Sequence, residues 1–267
     1  MTDDLAAVLL LAGFGLIVGS FLNVCIYRLP RRESVAWPAS HCTSCDRSLA
    51  WFENVPVLSW MVLRGRCRTC ASPVSALYPI VELTTAVLFA AAYPVYGLTP
   101  LLAVRLLFIC ALIVLFAIDL EHQILPDAVT LPGVAIGFAA SLFVPPDWRS
   151  SLIGLLAGGL FPFVVAELYL RVRKREGMGM GDFKMLAMVG AFLGWPLVWL
   201  TLLLACVLGI AIGGGALLLS RRGLATRIPF GTFIAVAALV CLYWGDAVVE
   251  AYARAIAIYL EWAGLAA

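Results

Sequence analysis

Apolar residues form long runs along this chain, and polar residues are concentrated in the segments between the runs. A helix needs about 20 consecutive apolar residues to cross the hydrocarbon core of a bilayer. Several runs approach or reach that length, so we predict eight membrane-spanning helices. The sixth run is short, and only residues 194–196 separate it from the seventh. The predicted spans lie near residues 5–27, 76–96, 100–118, 128–144, 151–170, 184–195, 197–219 and 229–245.

The overall composition supports a membrane protein. Of the 267 residues, 63% are hydrophobic and 13% are charged, and the mean hydropathy is +1.02. A soluble domain averages about 45–50% apolar and about 25% charged residues, so this chain has too few charges to cover a water-facing surface. The predicted fold class is therefore an all-α polytopic membrane protein.

The basic residues predict how the chain is oriented in the membrane. Lys and Arg concentrate in short cytoplasmic loops, and all of them except Arg105, Arg149 and Arg254 lie in or beside the loops after the first, fifth and seventh spans. With eight spans these loops share one face, which we predict to be cytoplasmic, and both termini lie outside. The net charge of +2 then reflects topology, and we expect no nucleic-acid partner.

The loop at residues 29–75 is long enough to fold by itself, and it contains two cysteine pairs. Cys42 and Cys45 are followed, after 21 intervening residues, by Cys67 and Cys70. Two such pairs supply the four thiolates that Zn²⁺ takes in a tetrahedral structural site. Two disulfides are the alternative, although a cytoplasmic loop is kept reduced. Because four thiolates leave no position for water, we predict structural zinc, and we expect the neighbouring His41 to be a solvated loop residue.

Two aspartates flank the spans on the predicted cytoplasmic side. Asp119 lies at the end of the third span, and the sixth span begins directly after Asp182. One outward and one returning span separate them, so both return to the same face at a similar depth. Two carboxylates sharing a water can hydrolyse a peptide, one acting as base and the other as acid. Asp127 is a third acid, but it follows Pro126 at the start of a span and suits an N-cap.

The segment "GMGMGDFK" at residues 177–184 leads into that second aspartate. It lacks the Gly-Lys-Ser/Thr of a phosphate loop, and no parallel sheet is predicted to give it the meaning of a soluble methyl-donor loop. Glycines allow close backbone approach and positive φ. We therefore interpret Gly177, Gly179 and Gly181 as a flexible mount for the aspartate, against the alternative of a plain linker, and expect Lys184 to orient the loop or extend to the lipid phosphates.

Taken together, the motifs resemble those of the bacterial type IV prepilin peptidase family, also called leader peptidase/N-methyltransferases. The matching segments are the two cysteine pairs, "GSFLNVCIYRLP" (19–30), "ENVPVLSW" (53–60), "LRGRC" (63–67), "YPIVE" (78–82), "LPD" (125–127), "GMGMGDFK" (177–184) and "IPFG" (228–231). The resemblance implies a GxGD-class aspartic peptidase of the inner membrane, cutting the basic leader from prepilins and pseudopilins after a glycine. It also implies that Asp119 and Asp182 are catalytic and that the cysteine loop binds zinc.

The family resemblance implies a second activity, methyl transfer from S-adenosylmethionine to the new amino terminus. The loop associated with it is present, and Glu53 and Asn54 are candidates for the donor site. Two positions depart from the family's pattern, because Leu77 stands where Arg is common and Thr232 where Pro is common. These departures leave the aspartates untouched, and they bear on substrate docking or methyl transfer.

The resulting domain layout is a first helix (1–28), a zinc-binding loop (29–75), a peptidase core (76–245) and an amphipathic tail (246–267). A peptidase without methyl transfer is one alternative. A zinc-binding transporter or a zinc-dependent scaffold are others, since acids in a membrane also suit a proton relay. We expect Glu82 and Glu167, which lie near the cytoplasmic ends of their spans, to pair with loop arginines instead.

Overall fold

The computed structural model describes residues 2–174, 178–214 and 229–262, and within these ranges the chain is helical without an extended strand. Short 3-10 turns at Leu29–Arg31 and Trp51–Asn54 and a π-helical turn at Gly209–Gly214 supplement the α-helices. The α-helices of the described residues are α1 (Thr2–Arg28), α2 (Leu58–Val62), α3 (Leu77–Tyr96), α4 (Pro100–His122), α5 (Asp127–Ala140), α6 (Trp148–Arg173), α7 (Met180–Leu193), α8 (Trp195–Leu208) and α9 (Phe230–Trp262).

Six segments of the described chain are long and apolar enough to cross a membrane, which confirms the all-helical, multi-pass class. These are Asp4–Arg31, Leu77–Tyr96, Pro100–His122, Trp148–Arg173, Trp195–Ile212 and Phe230–Tyr259. The other two predicted spans correspond to α5 and α7, which have 14 residues each. At 1.5 Å per residue each is about 21 Å long, less than the hydrocarbon thickness of about 30 Å.

Two helix boundaries differ from the predicted ones. Helix α7 begins at Met180 and not near residue 184, so Asp182 lies inside its first turn. Helix α9 continues from the last span without a break to Trp262, so the predicted tail is a helical extension as far as that residue. Residues 263–267 of the tail lie outside the described ranges.

The chain divides into two compact units, Met1–Ala128 and Val129–Ala267. In the first unit α1 packs against α3 at very short range, because glycines on α1 carry no side chain. A Cβ on Gly15 would lie 2.7 Å from the Cα of Ala86, and one on Gly19 would lie 2.7 Å from the Cα of Glu82. The largest fully buried side chains of this unit are Phe89, Phe108, Ile109, Leu112, Leu115 and Ile118.

In the second unit α6 and α7 pack with their backbones in direct contact. Gly190 of α7 faces the backbone of Gly154 in α6, and Gly158 of α6 faces the backbone of Leu186. The Ser151 hydroxyl donates a hydrogen bond to the carbonyl of Ala191 at 2.8 Å. Small residues let helices approach in this way within membranes. Helices α8 and α9 complete the unit, whose buried core contains Met185, Leu186, Met188, Val189, Val198 and Ile234.

The acids inside the spans have different partners. Glu167 forms an ion pair with Arg171 at 3.0 Å, one turn later on α6, so its predicted arginine lies on the same helix. The prediction that Glu82 pairs with a loop arginine was wrong. The buried Glu82 carboxylate accepts a hydrogen bond from the backbone N–H of Val57 at 2.7 Å.

Candidate functional site

Asp119 lies in the last turn of α4, and its residue is only 5% exposed. The helix ends just beyond it because Gln123 adopts a left-handed conformation with φ of 55° and donates its N–H to the Asp119 carbonyl. The neighbouring acids differ in burial. Glu121 is exposed beside His122, with 3.9 Å between their side chains, and Asp127 is exposed as the first residue of α5. Of the acids in this segment, Asp119 is the buried one.

Asp182 lies in the first turn of α7 and is 8% exposed. Its carboxylate accepts a hydrogen bond from the Gly179 N–H at 3.1 Å, and its own N–H donates to the Gly179 carbonyl at 3.1 Å. A Cβ on Gly179 would lie 3.3 Å from the carboxylate oxygen that accepts this bond. The glycine before the helix therefore gives the carboxylate both a donor and space.

The structure describes one of the two other glycines of the segment. Gly181 is in the first turn of α7, and Gly177 lies outside the described residues. Lys184 borders an apolar groove of about 300 Å³ between α6 and α7 that opens beside the turn carrying Asp182. The other residues lining the groove are Leu155, Leu156, Gly159, Leu160, Phe163, Met180, Phe183 and Ala187.

The structure assigns the two aspartates to different units, Asp119 to the first and Asp182 to the second. Each is a buried carboxylate at a helix end within its own unit. Burial of a carboxylate is costly unless hydrogen bonds or a shared proton compensate for it. Both aspartates are buried and therefore need such compensation. Their pairing across the units stays a prediction.

The four cysteines of the long loop form one cluster. Their Sγ atoms all lie within 4.8 Å of one another, and the Sγ atoms of Cys42 and Cys70 are 3.8 Å apart. Four sulfurs around Zn²⁺, with bonds of about 2.3 Å at tetrahedral angles, lie about 3.8 Å from each other. The cluster therefore fits a tetrahedral metal ion that all four cysteines could hold.

The two halves of this cluster are built alike, which the sequence reasoning did not detect beyond the cysteine pairs. In the first half (residues 42–47, the first knuckle) the Cys42 N–H donates to the Arg47 carbonyl, and the Cys42 carbonyl accepts from the Asp46 N–H. In the second half (residues 67–72, the second knuckle) Cys67 makes the same two bonds with Ser72 and Ala71. Asp46 and Ala71 have matching left-handed φ angles of 53° and 54°. Each partner in the second knuckle follows its counterpart by 25 positions. The sequence signal for this similarity is the residue that directly follows each Cys-x2-Cys pair, because that residue takes the left-handed conformation in both knuckles.

The backbone also favours the thiolate form within the cluster. The N–H groups of Cys70 and Thr69 point at the Cys67 sulfur and lower its pKa to about 6, from an ordinary value near 9. Metals bind thiolates and not thiols, and N–H groups directed at a sulfur stabilise its negative charge. Although the Ser72 N–H acts in the opposite direction, burial and the neighbouring cysteine sulfurs raise the pKa of Cys70 to about 11, so the negative charge of this knuckle resides on Cys67.

Glu53 and Asn54, the candidate donor-site residues, occupy the 3-10 turn Trp51–Asn54. Glu53 is buried and forms a two-pronged ion pair with Arg47 at 2.7 and 3.0 Å, and it accepts the Ala50 N–H at 2.8 Å. These donors, with Arg47 as the largest contributor, lower the Glu53 pKa to about 2. Glu53 therefore fastens the turn to the first knuckle, whereas Asn54 is exposed.

Comparison with known protein families gives two matches, one in each half of the chain. Residues 14–96 match the bacterial peptidase A24 N-terminal domain, and residues 106–214 match the type IV leader peptidase family. No solved structure is significantly similar to the chain.

Full-length relatives extend these matches over most of the chain. A prepilin leader peptidase/N-methyltransferase of Pseudomonas putida is 39% identical, covering 87% of this chain and 88% of the relative. One from Stutzerimonas stutzeri is 36% identical, covering 94% and 95%, and one from Aeromonas hydrophila is 37% identical, covering 90% and 91%. The chain therefore belongs to the type IV leader peptidase family.

Proposed function

We propose that this chain is a membrane-embedded aspartic endopeptidase that removes the leader from type IV prepilins and pseudopilins and then methylates the new amino terminus. The observation that carries the proposal is the burial of Asp119 and Asp182 at helix ends. Relatives similar over nearly the whole chain are named prepilin leader peptidase/N-methyltransferase, which supports both activities.

In the proposed mechanism the two aspartates share one proton, because two close carboxylates cannot both ionise. The ionised one removes a proton from water as the water oxygen attacks the scissile carbonyl carbon, and the protonated one polarises the carbonyl oxygen. A proton then passes to the leaving amine as the carbon–nitrogen bond breaks. The pair titrates together. Asp127, exposed at the start of α5, acts in this proposal as a helix-capping residue.

The glycine segment and its flanking lysine support the aspartate in this proposal. Gly179 and Gly181 leave room for an extended substrate backbone beside Asp182, and the bond from the Gly179 N–H fixes one carboxylate oxygen. Gly177, which lies outside the described residues, belongs to the same proposed supporting segment. Lys184 extends along the apolar groove toward lipid phosphates, as long basic side chains do at membrane edges. The groove itself offers an apolar surface next to the reacting residue.

For the topology we propose eight spans in the bacterial inner membrane, with α5 and α7 as short spans. The basic loops, the cysteine loop at 29–75 and both aspartates then face the cytoplasm, where a prepilin leader is located. The peptidase core comprises residues 76–245, and the extension of α9 from residue 246 continues beyond that core in line with the last span.

For the cluster we propose a structural Zn²⁺ held by Cys42, Cys45, Cys67 and Cys70. When bound, the metal supplies a crosslink between the knuckles, and its four thiolate ligands leave no position for a reacting water. The matched knuckles and the lowered Cys67 pKa support this assignment.

For methyl transfer we propose S-adenosylmethionine as the donor, as the relatives' names imply. Asn54 presents an exposed amide that fits a donor contact, and Glu53 positions the turn, since its carboxylate oxygens are already occupied by Arg47 and Ala50. No further residue is assigned to the donor. A peptidase without this activity is the alternative.

The deciding experiment is cleavage of a synthetic prepilin by purified protein, comparing Asp119→Asn and Asp182→Asn with Asp127→Asn and Glu121→Gln as exposed controls. We expect the first two variants to lose cleavage with melting temperature and metal content intact, and the controls to retain it. Cleavage by both Asn variants would overturn the mechanism. Incubating the cleaved peptide with labelled S-adenosylmethionine tests methylation separately, and Asn54→Ala should lower labelling without lowering cleavage.

A further inference from the structure

The short helix α2 presents an apolar face that no other part of the described chain covers. Leu58, Met61 and Val62 are 61%, 62% and 79% exposed, and positions i, i+3 and i+4 share one side of a helix. Scattered apolar residues on a surface are ordinary, but three on one face in a connecting loop indicate a binding surface.

The depth of this helix follows from two hydrogen bonds. Val57, directly before α2, donates its N–H to Glu82, which is five residues inside α3. From the middle of α2, Trp60 donates its indole N–H to the Val74 carbonyl at 3.1 Å, three residues before α3 begins. Helix α2 thus lies alongside the first turns of a membrane-spanning helix.

The level of Glu82 on α1 lies inside the first membrane-spanning helix. Gly19 faces Glu82, and residues 5–19 of α1 carry no polar side chain, with Ser20 as the first. Gly19 precedes the end of α1 at Arg28 by nine residues, or about 13 Å. Val57 therefore lies at a depth within the spans, where a backbone N–H lacks water and needs a protein acceptor. Glu82 is that acceptor.

The charges near α2 are ordered as a membrane interface requires. Arg64 and Arg66 follow the helix and are exposed, and they lie on the side of Val74, away from the deep end at Val57. On α3 the exposed side chains of Ile80 and Leu83 continue an apolar surface at the same depth. Apolar groups lie deeper and guanidinium groups shallower, which matches acyl chains below anionic headgroups.

We propose that α2 is an interfacial helix that inserts Leu58, Met61 and Val62 into the membrane's own lipid, with Arg64 and Arg66 at the phosphates of anionic phospholipids. The cysteine loop is then held at the bilayer surface by lipid as well as by its covalent connections. This inference concerns the loop alone and holds whether or not the chain cleaves prepilins.

Site-specific photocrosslinking of the full chain in lipid nanodiscs tests the proposal. p-Benzoylphenylalanine replaces Val62 in one variant, Leu83 in a lipid-facing control and Thr43, an exposed position of the first knuckle, in a water-facing control. After irradiation, mass spectrometry measures phospholipid adducts. Because all three positions lie outside the buried core, metal content and melting temperature verify that each variant is folded.

We expect the lipid-adduct yield at Val62 to approach that at Leu83 and to exceed that at Thr43 at least about tenfold. Lipid adducts at Leu83 but not at Val62 would overturn the proposal, as would crosslinking of Val62 to a second copy of the chain. In nanodiscs of mixed phosphatidylcholine and phosphatidylglycerol, the Val62 adducts should be enriched in phosphatidylglycerol. Arg64→Gln with Arg66→Gln should abolish that enrichment, and equal enrichment in both proteins would overturn the arginine assignment.

Discussion

The Asp182 carboxylate and the Gly179 N–H are joined by a hydrogen bond of 3.1 Å across the first turn of α7. The bond satisfies one of the N–H groups that a helix start leaves without a partner, and it restricts the carboxylate to one orientation. Because a Cβ on Gly179 would lie 3.3 Å from the bonded oxygen, the absence of a side chain there is part of the arrangement.

Gly179→Ala should therefore lower prepilin cleavage more than it lowers stability. The added methyl group displaces the carboxylate by a few tenths of an ångström, and misplacement of a catalytic group by about 1 Å can cost about a hundredfold in rate. We expect a loss of about tenfold in kcat, measured with a synthetic prepilin. Gly13→Ala is the matched control, since a Cβ there meets nothing within 4 Å, and cleavage should be unchanged.

Two substitutions of Asp182 separate its helix-capping role from its proposed chemistry. Asp182→Asn keeps an oxygen that accepts the Gly179 N–H, whereas Asp182→Ala removes it at a cost of about 1 kcal/mol. Thermal melts should show the Ala variant less stable than the Asn variant, with cleavage lost in both. A fully active Asn variant would remove Asp182 from the mechanism.

The ion pair of Glu53 with Arg47 should make the loop's stability depend on pH. Because the folded-state pKa of Glu53 is lowered to about 2 from an unfolded value of about 4.3, its contribution is complete above the unfolded value. The contribution is lost as the pH falls from about 4.3 toward about 2.

Limited proteolysis of the loop from about pH 5 to about pH 3 measures this dependence. The wild type should lose protection more steeply than Glu53→Gln, which has no carboxylate to protonate. Any effect of acid on the cysteine cluster is common to both proteins. Identical profiles would contradict the assigned pKa cause.

Val57 adopts φ of 61° and ψ of −50°, and the Leu58 N–H donates to the Pro56 carbonyl around it. This is a γ-turn of the strained hand, and it is held by a β-branched residue that disfavours positive φ. Val57→Gly should relieve strain of about 1 kcal/mol or more and raise the melting temperature. Val55→Gly, at an ordinary extended φ of −67°, should lower it.

The same thermal melts can test the hydrogen bond that the Val57 N–H donates to the Glu82 carboxylate. Glu82→Ala leaves the Val57 N–H without its partner and should destabilise the protein by about 1–3 kcal/mol. Glu82→Gln keeps an acceptor oxygen and should cost less. Equal melting temperatures for the two variants would show that the hydrogen bond contributes nothing.

The cysteine cluster should bind one metal ion per chain. Elemental analysis of purified protein should find about one Zn²⁺ per chain, and Cys42→Ser or Cys67→Ser should remove most of it, because each variant breaks one knuckle. Cys206→Ser is the control, since Cys206 is an exposed free cysteine outside the cluster. Full metal content in both knuckle variants would refute a four-thiolate site.

Much of this architecture could be predicted from sequence, because hydrocarbon length and cysteine spacing are direct physical constraints. Apolar runs located the six long spans, and the two cysteine pairs located the cluster. The start of α7 was placed too late, since glycines at 179 and 181 disfavour a helix. The hydrogen bond from Gly179 to the Asp182 side chain compensates, and a single sequence does not display that bond.

The partner of Glu82 was mistaken for a related reason. The negative charge of Glu82 suggested an arginine partner, but its carboxylate accepts a hydrogen bond from the backbone N–H of Val57, 25 positions earlier. Backbone groups are the same at every residue and leave no mark in a sequence. Positive φ at a valine is likewise invisible, because the sequence signal for that conformation is glycine or asparagine.

The contact between α6 and α7 has a mechanical consequence. Where Gly190 faces Gly154 and Gly158 faces Leu186, backbone rests on backbone, with no flexible side chains between the helices to absorb a displacement. The two helices therefore form one rigid unit, with Asp182 at one end of it. A displacement of α6 is thus passed directly to the Asp182 backbone, which lies in the first turn of α7.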